Sequence, residues 1–362
     1  MFYAIGIFLI SFMLLLFIYT ISRFRKYYII SNLKNKKLSW IITLLPIFFI
    51  ICYIIYDSIN GVIILLYFSI FSLLFDFLFF VIKKILKREF KIYISGICAV
   101  LFTAIYLANA YYLAHHVVET TYIIKTDKEI GTEKFRIAQI SDSHIGATMN
   151  GDTFIKYMNK INKTNPDIVV VTGDFVDDDT SKDDMVKGCK GLGQLKSKYG
   201  VFYINGNHDA GYFNKRNYSY ENLKDELNKN NVTILEDESI LINDYFYIIG
   251  RVDKRYKERK SIDELVKNID KTKYIIDLNH QPNDYENERK AKVDLVLSGH
   301  THGGQLLPIG QLGVLLGFND SYYGLQKRDK TSFIVNSGIC DWALKFKSGT
   351  VSEYVIVDIV NN

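Results

Sequence analysis

The 362-residue chain carries 44 Lys and Arg against 39 Asp and Glu, but this small positive balance describes neither half of it. Residues 1–116 hold 11 basic and 3 acidic residues, which leaves 33 basic and 36 acidic residues for 117–362. Because the basic excess lies beside long apolar runs, it indicates membrane topology and argues against a nucleic-acid-binding surface. Nucleic acid is therefore not an expected partner.

Four apolar stretches occupy the first part of the sequence, at residues 2–21, 39–56, 62–82 and 92–113. Each is close to the roughly 20 residues that a helix needs to cross a bilayer. Buried helices of a soluble domain would show polar faces, which these runs lack. The sequence therefore predicts a multi-pass membrane domain with four transmembrane helices in residues 1–116.

The loops between these stretches set the expected topology. Six Lys and Arg lie between the first and second runs, five lie between the third and fourth, and residues 57–61 and 92–124 have none. By the positive-inside rule both basic loops face the cytoplasm, so the rest of the chain is expected to be extracytoplasmic at the cell membrane. The inverted topology, with a cytoplasmic second half, stays open.

One acidic residue, Asp76, falls inside the third apolar stretch. A carboxylate at that depth is costly and is a functional candidate by default. Asp76 lies only seven residues before Lys83, so we favour an interhelical partner or a place near the interface.

From residue 134 onward, short β-branched runs alternate with polar stretches of helical period. The predicted strands include "FRIAQIS", "DIVVVTG", "GVFYING", "KYIIDLNH" and "VDLVLSGH". This alternation predicts an α/β domain of layered mixed β-sheets flanked by helices over 134–362. Residues 117–133 are expected to form a connector, with a candidate strand in "TYIIK".

Polar side chains follow the ends of five predicted strands, where α/β domains build their sites. Five of the seven histidines in the chain fall in these loops. A lone histidine is more often structural, but five at strand ends beside carboxylates indicate a site. The residues are Asp142, His144, Asp174, Asp177, Asn207, His208, Asp209, His280, His300 and His302.

This set combines imidazole, carboxylate and carboxamide groups without a thiolate, which favours Mn, Fe or Zn ions. Seven candidate ligands are too many for one tetrahedral ion but enough for two divalent metal ions if a carboxylate bridges them. In "SGHTHGGQ", two histidines one residue apart can reach different ions, and the glycines allow close approach. The candidate ligands are Asp142, His144, Asp174, Asn207, His280, His300 and His302.

The blocks "DSH", "GDFVD", "GNHD", the histidine of "NHQP" and "GHTHGGQ" occur in this order over about residues 140–350. Together they resemble the calcineurin-like metallophosphoesterase superfamily. The "GHTHGGQ" form and the apolar N-terminal half are similar to its bacterial branch of membrane-associated phosphodiesterases, which includes enzymes acting on nucleotide-linked lipid precursors.

The resemblance implies a role for each residue. One metal would be held by Asp142, His144 and His302. The other would be held by Asn207, His280 and His300, with Asp174 as the bridge. His208 would stabilise the transition state or protonate the leaving oxygen. Asp209 would orient His208, and Asp177 would orient a ligand.

The expected function is that of a membrane-anchored dimetal phosphoesterase acting through a metal-bound hydroxide. A phosphodiester or pyrophosphate bond, in a lipid-linked or envelope substrate, is the expected target. A phosphomonoesterase and a metal-dependent membrane sensor without turnover stay open as alternatives. His208 beside a complete ligand set favours catalysis, because a binding module has no need of an acid.

Overall fold

The computed structural model describes residues 2–213 and 215–362, with side chains from residue 11 onward. The chain divides into two compact units, Met1–Tyr111 and Tyr112–Asn362.

The first unit is helical. Its elements, the last of which runs into the second unit, are α1 (Phe2–Phe24), α2 (Tyr28–Ser31), α3 (Lys36–Tyr56), α4 (Ser58–Leu86) and α5 (Ile94–His115). Within the described residues, α3, α4 and α5 are long and apolar enough to cross a membrane, and Ser11–Phe24 in α1 is a shorter apolar stretch. A fourth span in residues 2–21 stays a prediction.

Asp76 lies on α4 and has partners on two other helices. It forms an ion pair with Arg23 of α1 and accepts a hydrogen bond from Oγ of Ser95 on α5 at 2.7 Å. The expectation of an interhelical partner is therefore confirmed, and the cost of a carboxylate among apolar helices is offset by pairing.

The second unit contains two six-stranded mixed sheets, which confirms the predicted fold class. In spatial order the first sheet comprises β1 (Val118–Thr126), β12 (Glu353–Asn361), β2 (Lys134–Ile140), β3 (Ile168–Thr172), β4 (Val201–Ile204) and β5 (Val232–Ile234). The second comprises β10 (Gly324–Arg328), β11 (Thr331–Val335), β9 (Leu295–Ser298), β8 (Tyr274–Leu278), β7 (Phe246–Gly250) and β6 (Glu238–Ile242). Strands β2, β3, β4 and β5 are parallel in the first sheet, as are β7, β8, β9 and β11 in the second.

The sheets pack face to face, with helices on their outer sides. In β2, Phe135 and Ile137 point into the core between the sheets, whereas Ala138 and Ile140 point to the helices over the first sheet. Such strands are apolar on both faces, as parallel strands between layers must be. The helices over the first sheet are α6 (Gly151–Asn162), α7 (Lys182–Gly193) and α8 (Tyr220–Lys229), and those over the second are α9 (Ile262–Leu265) and α10 (Tyr285–Lys290). A further helix, α11 (Ile309–Leu315), follows the loop after β9.

The segment expected to be a connector contributes to the first sheet. Residues Val118–Thr126 form β1, which pairs in parallel with β12 along its full length. Ile124 is buried in the core between the sheets and Tyr122 packs against it, so burial of apolar side chains explains why this stretch is a strand. The candidate strand in "TYIIK" is thus confirmed, and only two residues separate α5 from β1.

Candidate metal centre

The loops after β2, β3, β4, β8 and β9 bring the predicted ligands together at one edge of the two sheets. Two groups of three have ligand atoms that all lie within 4.8 Å of one another. The first cluster consists of Asp142, His144 and His302, and the second of Asp174, His280 and His300. Oδ1 of Asn207 lies 3.1 Å from Nε2 of His280 and so joins the second cluster.

Asp174 lies between the two clusters. Its Oδ2 is 3.2 Å from Nε2 of His280 and 3.7 Å from Nε2 of His144. The backbone N–H of His208 donates to its Oδ1 at 2.8 Å. One carboxylate thus faces both sets of imidazoles, as a bridging ligand must.

The backbone of these loops is unusual. Residues other than glycine rarely adopt a positive φ, and holding such a residue in that conformation costs about 1–3 kcal/mol. Five candidate ligands do so: Asp142, His144, Asp174, His300 and His302, with φ between 34° and 70°. Strain gathered on the residues of one site is typical of a functional constraint.

Glycines in the same motifs leave room for the carboxylates. A Cβ on Gly206 would lie 2.2 Å from Oδ1 of Asp174, and one on Gly299 would lie 2.3 Å from Oδ2 of Asp142. Any larger residue would displace the ligand. The glycines of "GNHD" and "GHTHGGQ" are therefore required by the packing of the site itself.

The electrostatics of the site call for cations. Burial lowers the pKa of an imidazole, yet the Asp174 carboxylate raises the pKa of His280 to about 10. Burial and the neighbouring His280 lower the pKa of His300 to about 4. Burial alone would raise the pKa of Asp174, but His280 holds it well below its usual range. The buried Asp174 carboxylate is thus stabilised as an anion by the positive charge beside it.

The donor set fits divalent ions. His144 is fully buried, and among the described residues its Nε2 has no hydrogen-bond partner although it faces the first cluster. An unpartnered ring nitrogen is costly unless something binds it. Imidazole, carboxylate and carboxamide donors suit Mn, Fe or Zn.

The other ring nitrogens of two ligands are held by the protein. Nδ1 of His302 lies 3.2 Å from Oδ1 of Asp341, which pairs with the buried Lys347 at 3.0 Å. Nδ1 of His280 lies 2.7 Å from the carbonyl oxygen of Thr172. Such contacts fix the ring so that Nε2 points at the metal position.

Asp341 and Lys347 were missed by the sequence analysis. Asp341 lies in the loop after β11 (Thr331–Val335), so the strand-end rule that found the candidate ligands would also have found it. Lys347 carries no comparable signal, because its contact with Asp341 depends on how the segment after β11 folds back.

The expected partner of His208 was wrong. Asp209 is fully buried and accepts hydrogen bonds at 2.7–3.0 Å from four backbone N–H groups, those of Asp174, Phe175, Val176 and Gly206. Its carboxylate therefore ties the loop after β3 to the loop after β4. The His208 ring contacts Asp177 instead, with 3.0 Å between Nδ1 and Oδ1, because successive side chains of this turn point in different directions.

Asp177 contacts a candidate ligand as well. Its Oδ2 lies 3.3 Å from Nδ1 of His144. Burial alone would raise the pKa of Asp177, but the neighbouring His144 and His208 hold it below its usual range. This carboxylate therefore links the first cluster to the candidate acid.

Exposed aromatic rings border the open side of the site near His208. The His208 ring centroid lies 5.1 Å from that of Tyr212 and 5.9 Å from that of Trp342. Nη1 of Arg255 donates to the carbonyl oxygen of Asn207 at 2.6 Å, and its guanidinium lies over the Tyr212 ring. These residues also escaped the sequence analysis, since their spacing follows no motif.

Comparison with known proteins relates the second unit of this chain to phosphoesterases. A sequence model of calcineurin-like phosphoesterases matches residues 135–304. An uncharacterized metallophosphoesterase of Aquifex aeolicus is 37% identical over 194 residues, covering 52% of this chain and 71% of the relative. One from Helicobacter pylori J99 is 33% identical over 245 residues, covering 64% of this chain and 60% of the relative.

The name of a vertebrate relative mentions both this kind of domain and a transmembrane protein. It is a transmembrane protein with metallophosphoesterase domain from Danio rerio, 26% identical over 247 residues. The alignment covers 63% of this chain and 55% of that protein. The chain thus spans little more than half the length of several relatives that it matches.

Proposed function

Because the chain belongs to the calcineurin-like phosphoesterase family, we propose that it is a membrane-anchored phosphoesterase with two divalent ions in its two clusters. The position of Asp174 carries this proposal. One buried carboxylate oxygen within 3.7 Å of imidazoles from both clusters is the arrangement that a shared, bridged pair of ions requires.

In this proposal the first ion is held by Asp142, His144 and His302. The second is held by Asn207, His280 and His300, and Asp174 binds both. When bound, such ions polarise a phosphoryl oxygen and make water available as a nucleophile near neutral pH. Mn, Fe and Zn all suit the donors.

The protein's own part in the reaction centres on His208. Asp177 holds its Nδ1, which leaves Nε2 as the atom that delivers a proton to the leaving oxygen. Asp177 also contacts His144, so the acid and the first cluster keep a fixed relation. The guanidinium of Arg255, bound to the backbone of Asn207, supplies positive charge for the phosphate at the mouth.

We favour a phosphodiester or pyrophosphate bond of a lipid-linked or envelope component as the target. Three helices able to cross a membrane support a substrate at the bilayer. The positive-inside rule supports an extracytoplasmic site in a multi-pass protein.

The test uses the full chain in detergent, stripped of metal and reloaded separately with Mn, Fe or Zn. Hydrolysis of bis(4-nitrophenyl) phosphate is compared with that of 4-nitrophenyl phosphate, and bound metal is measured by mass spectrometry. We expect metal-dependent diester turnover that exceeds monoester turnover. A preference for the monoester would overturn the diester assignment, and two bound ions without turnover of either ester would overturn the enzymatic proposal.

A further inference from the structure

A strip of apolar side chains lies open on the surface beside the metal centre. We call it the α11 strip, and it consists of Ile309, Leu312, Leu315, Leu316 and Phe318, each 47–79% exposed. Residues 309, 312, 315 and 316 are spaced so that they share one helical face. A helix on the surface of a soluble domain normally turns such a face inward, whereas here it points outward.

The strip stands apart from other exposed apolar side chains of the second unit. Elsewhere in its described residues smaller groups occur, such as Tyr212, Phe213 and Trp342 near His208, and the neighbours Ile240 and Leu241 on β6. A Cβ placed on Gly313 or Gly317 would meet no atom within 4 Å, so the space around the helix is open. A concentrated patch of this kind marks an interaction surface.

The inner side of α11 packs on the ligand loop. A Cβ on Gly310 would lie 2.7 Å from Cα of Gly304, in the loop that carries His300 and His302. Phe318 and His300 line one cavity of about 350 Å³. Whatever covers the strip therefore also lies at the mouth of a cavity that reaches a candidate metal ligand.

Positive charge borders the strip. Lys254 and Arg255 line the cavity with His300 and Phe318. Lys254 and Arg328 line an adjoining cavity of about 320 Å³, where the carboxylate of Asp320 lies 3.9 Å from Arg328. An exposed apolar face flanked by basic residues is typical of surfaces that lie in the interface of an anionic bilayer.

The chain itself keeps a bilayer within reach. The helix α5 is long and apolar enough to cross a membrane, and only two residues separate its end at His115 from the start of β1 at Val118. A surface tethered this closely meets lipid at high effective concentration. We propose that the α11 strip docks on the surface of an anionic phospholipid bilayer, with the cavity at His300 opening toward the headgroups.

The test measures lipid contact and needs no turnover. Two cysteine variants are compared: Leu315→Cys, and Leu241→Cys as a control on the exposed edge strand β6. Each is made in the full chain carrying Cys52→Ser and Cys98→Ser. Cys189 and Cys340 are kept because they are buried. Each variant is labelled with an environment-sensitive fluorophore and reconstituted in nanodiscs that hold one chain. The discs contain phosphatidylcholine with or without phosphatidylglycerol, and lipids with a nitroxide quencher at a shallow or a deep position.

We expect the probe at position 315 to be quenched by the shallow nitroxide, since an interfacial face lies about 5–10 Å into the headgroup and acyl boundary. The probe at position 241 should be quenched far less. Phosphatidylglycerol should strengthen quenching at 315, and Lys254→Glu with Arg328→Glu should abolish that increase.

Equal quenching at the two positions would overturn the proposal. So would a probe at 315 that is shielded from water but insensitive to lipid quenchers, because that result assigns the strip to a protein contact. Neither outcome bears on the proposed hydrolysis, which the metal-dependent turnover of soluble esters tests separately.

Discussion

The two ligand clusters differ in the groups that contact Nδ1 of their histidines, on the side of the ring away from the metal position. In the first cluster these groups are carboxylates: Asp341 contacts His302 and Asp177 contacts His144. In the second cluster His280 is held by a backbone carbonyl, that of Thr172. A carboxylate behind a ligating histidine raises its basicity, whereas a neutral carbonyl does so less. We therefore expect the first cluster to hold its ion more tightly than the second.

Asp174→Asn tests what the clusters share. Asp174 faces imidazoles of both clusters, so Asp174→Asn should weaken the binding of both ions together. Turnover should fall below detection. This loss is larger than the roughly 10–100-fold in metal affinity or activity that removing a residue behind a ligand costs. Metal content by mass spectrometry and turnover of bis(4-nitrophenyl) phosphate are the measurements. Loss of only one ion, with the other bound as in the wild type, would contradict the bridging position.

His208→Asn tests whether the acid can be separated from the metals. The ring lies beside the first cluster, with 4.9 Å between its centroid and that of His144, and has no place among the proposed ligands. We expect kcat to fall by about 10²–10⁴-fold for diesters with alkyl leaving groups, as the loss of a general acid predicts. Both ions should remain bound.

The leaving group provides the control for this variant. A 4-nitrophenolate needs little protonation, so the same substitution should cost far less with bis(4-nitrophenyl) phosphate. An equal loss with both kinds of diester would mean that His208 positions the phosphate or the metals and does not donate the proton.

Asp341→Asn tests the difference between the clusters directly. The amide removes the charge behind His302, so affinity for one ion should fall by about 10–100-fold while the other is unchanged. Titration of the stripped protein with Mn, followed by calorimetry, separates the two events. If both ions weaken equally, the clusters do not differ in the way proposed.

Lys347 requires a matched variant, because it is fully buried and pairs with Asp341. Asp341→Asn alone leaves its charge unpaired, which destabilises the fold by about 3–5 kcal/mol. Asp341→Asn with Lys347→Met removes both charges at similar volume. If both the single and the double variant bind one of the two ions more weakly, the effect is due to the lost contact between Asp341 and His302.

The ligands of the two clusters could be predicted from the sequence, whereas the residues that hold those ligands in place could be predicted less well. His144 and His302 come from different sheets, yet both were found because each follows a strand of strong apolar pattern. Motif position placed the ligands, since strand ends of a parallel sheet converge. The pairing of β1 with β12, and of Lys347 with Asp341, depends on tertiary packing that no local pattern encodes.

Asp209 illustrates the limit most clearly, and Asp209→Asn provides the smallest expected effect on turnover. Each carboxylate oxygen accepts two backbone N–H groups, so the amide of asparagine would face two donors and leave them unsatisfied. Each such loss costs about 1–3 kcal/mol, so the midpoint of thermal unfolding should fall, while kcat at low temperature changes by less than about tenfold.

The leaving group separates this structural role from an effect on the acid. Asp177→Asn removes the carboxylate that contacts Nδ1 of His208, so kcat should fall more for diesters with alkyl leaving groups than for bis(4-nitrophenyl) phosphate. Asp209→Asn should change kcat for both kinds of diester by the same factor. A selective loss with alkyl leaving groups in Asp209→Asn but not in Asp177→Asn would restore the orientation of His208 to Asp209, and the four backbone contacts would then be incidental to catalysis.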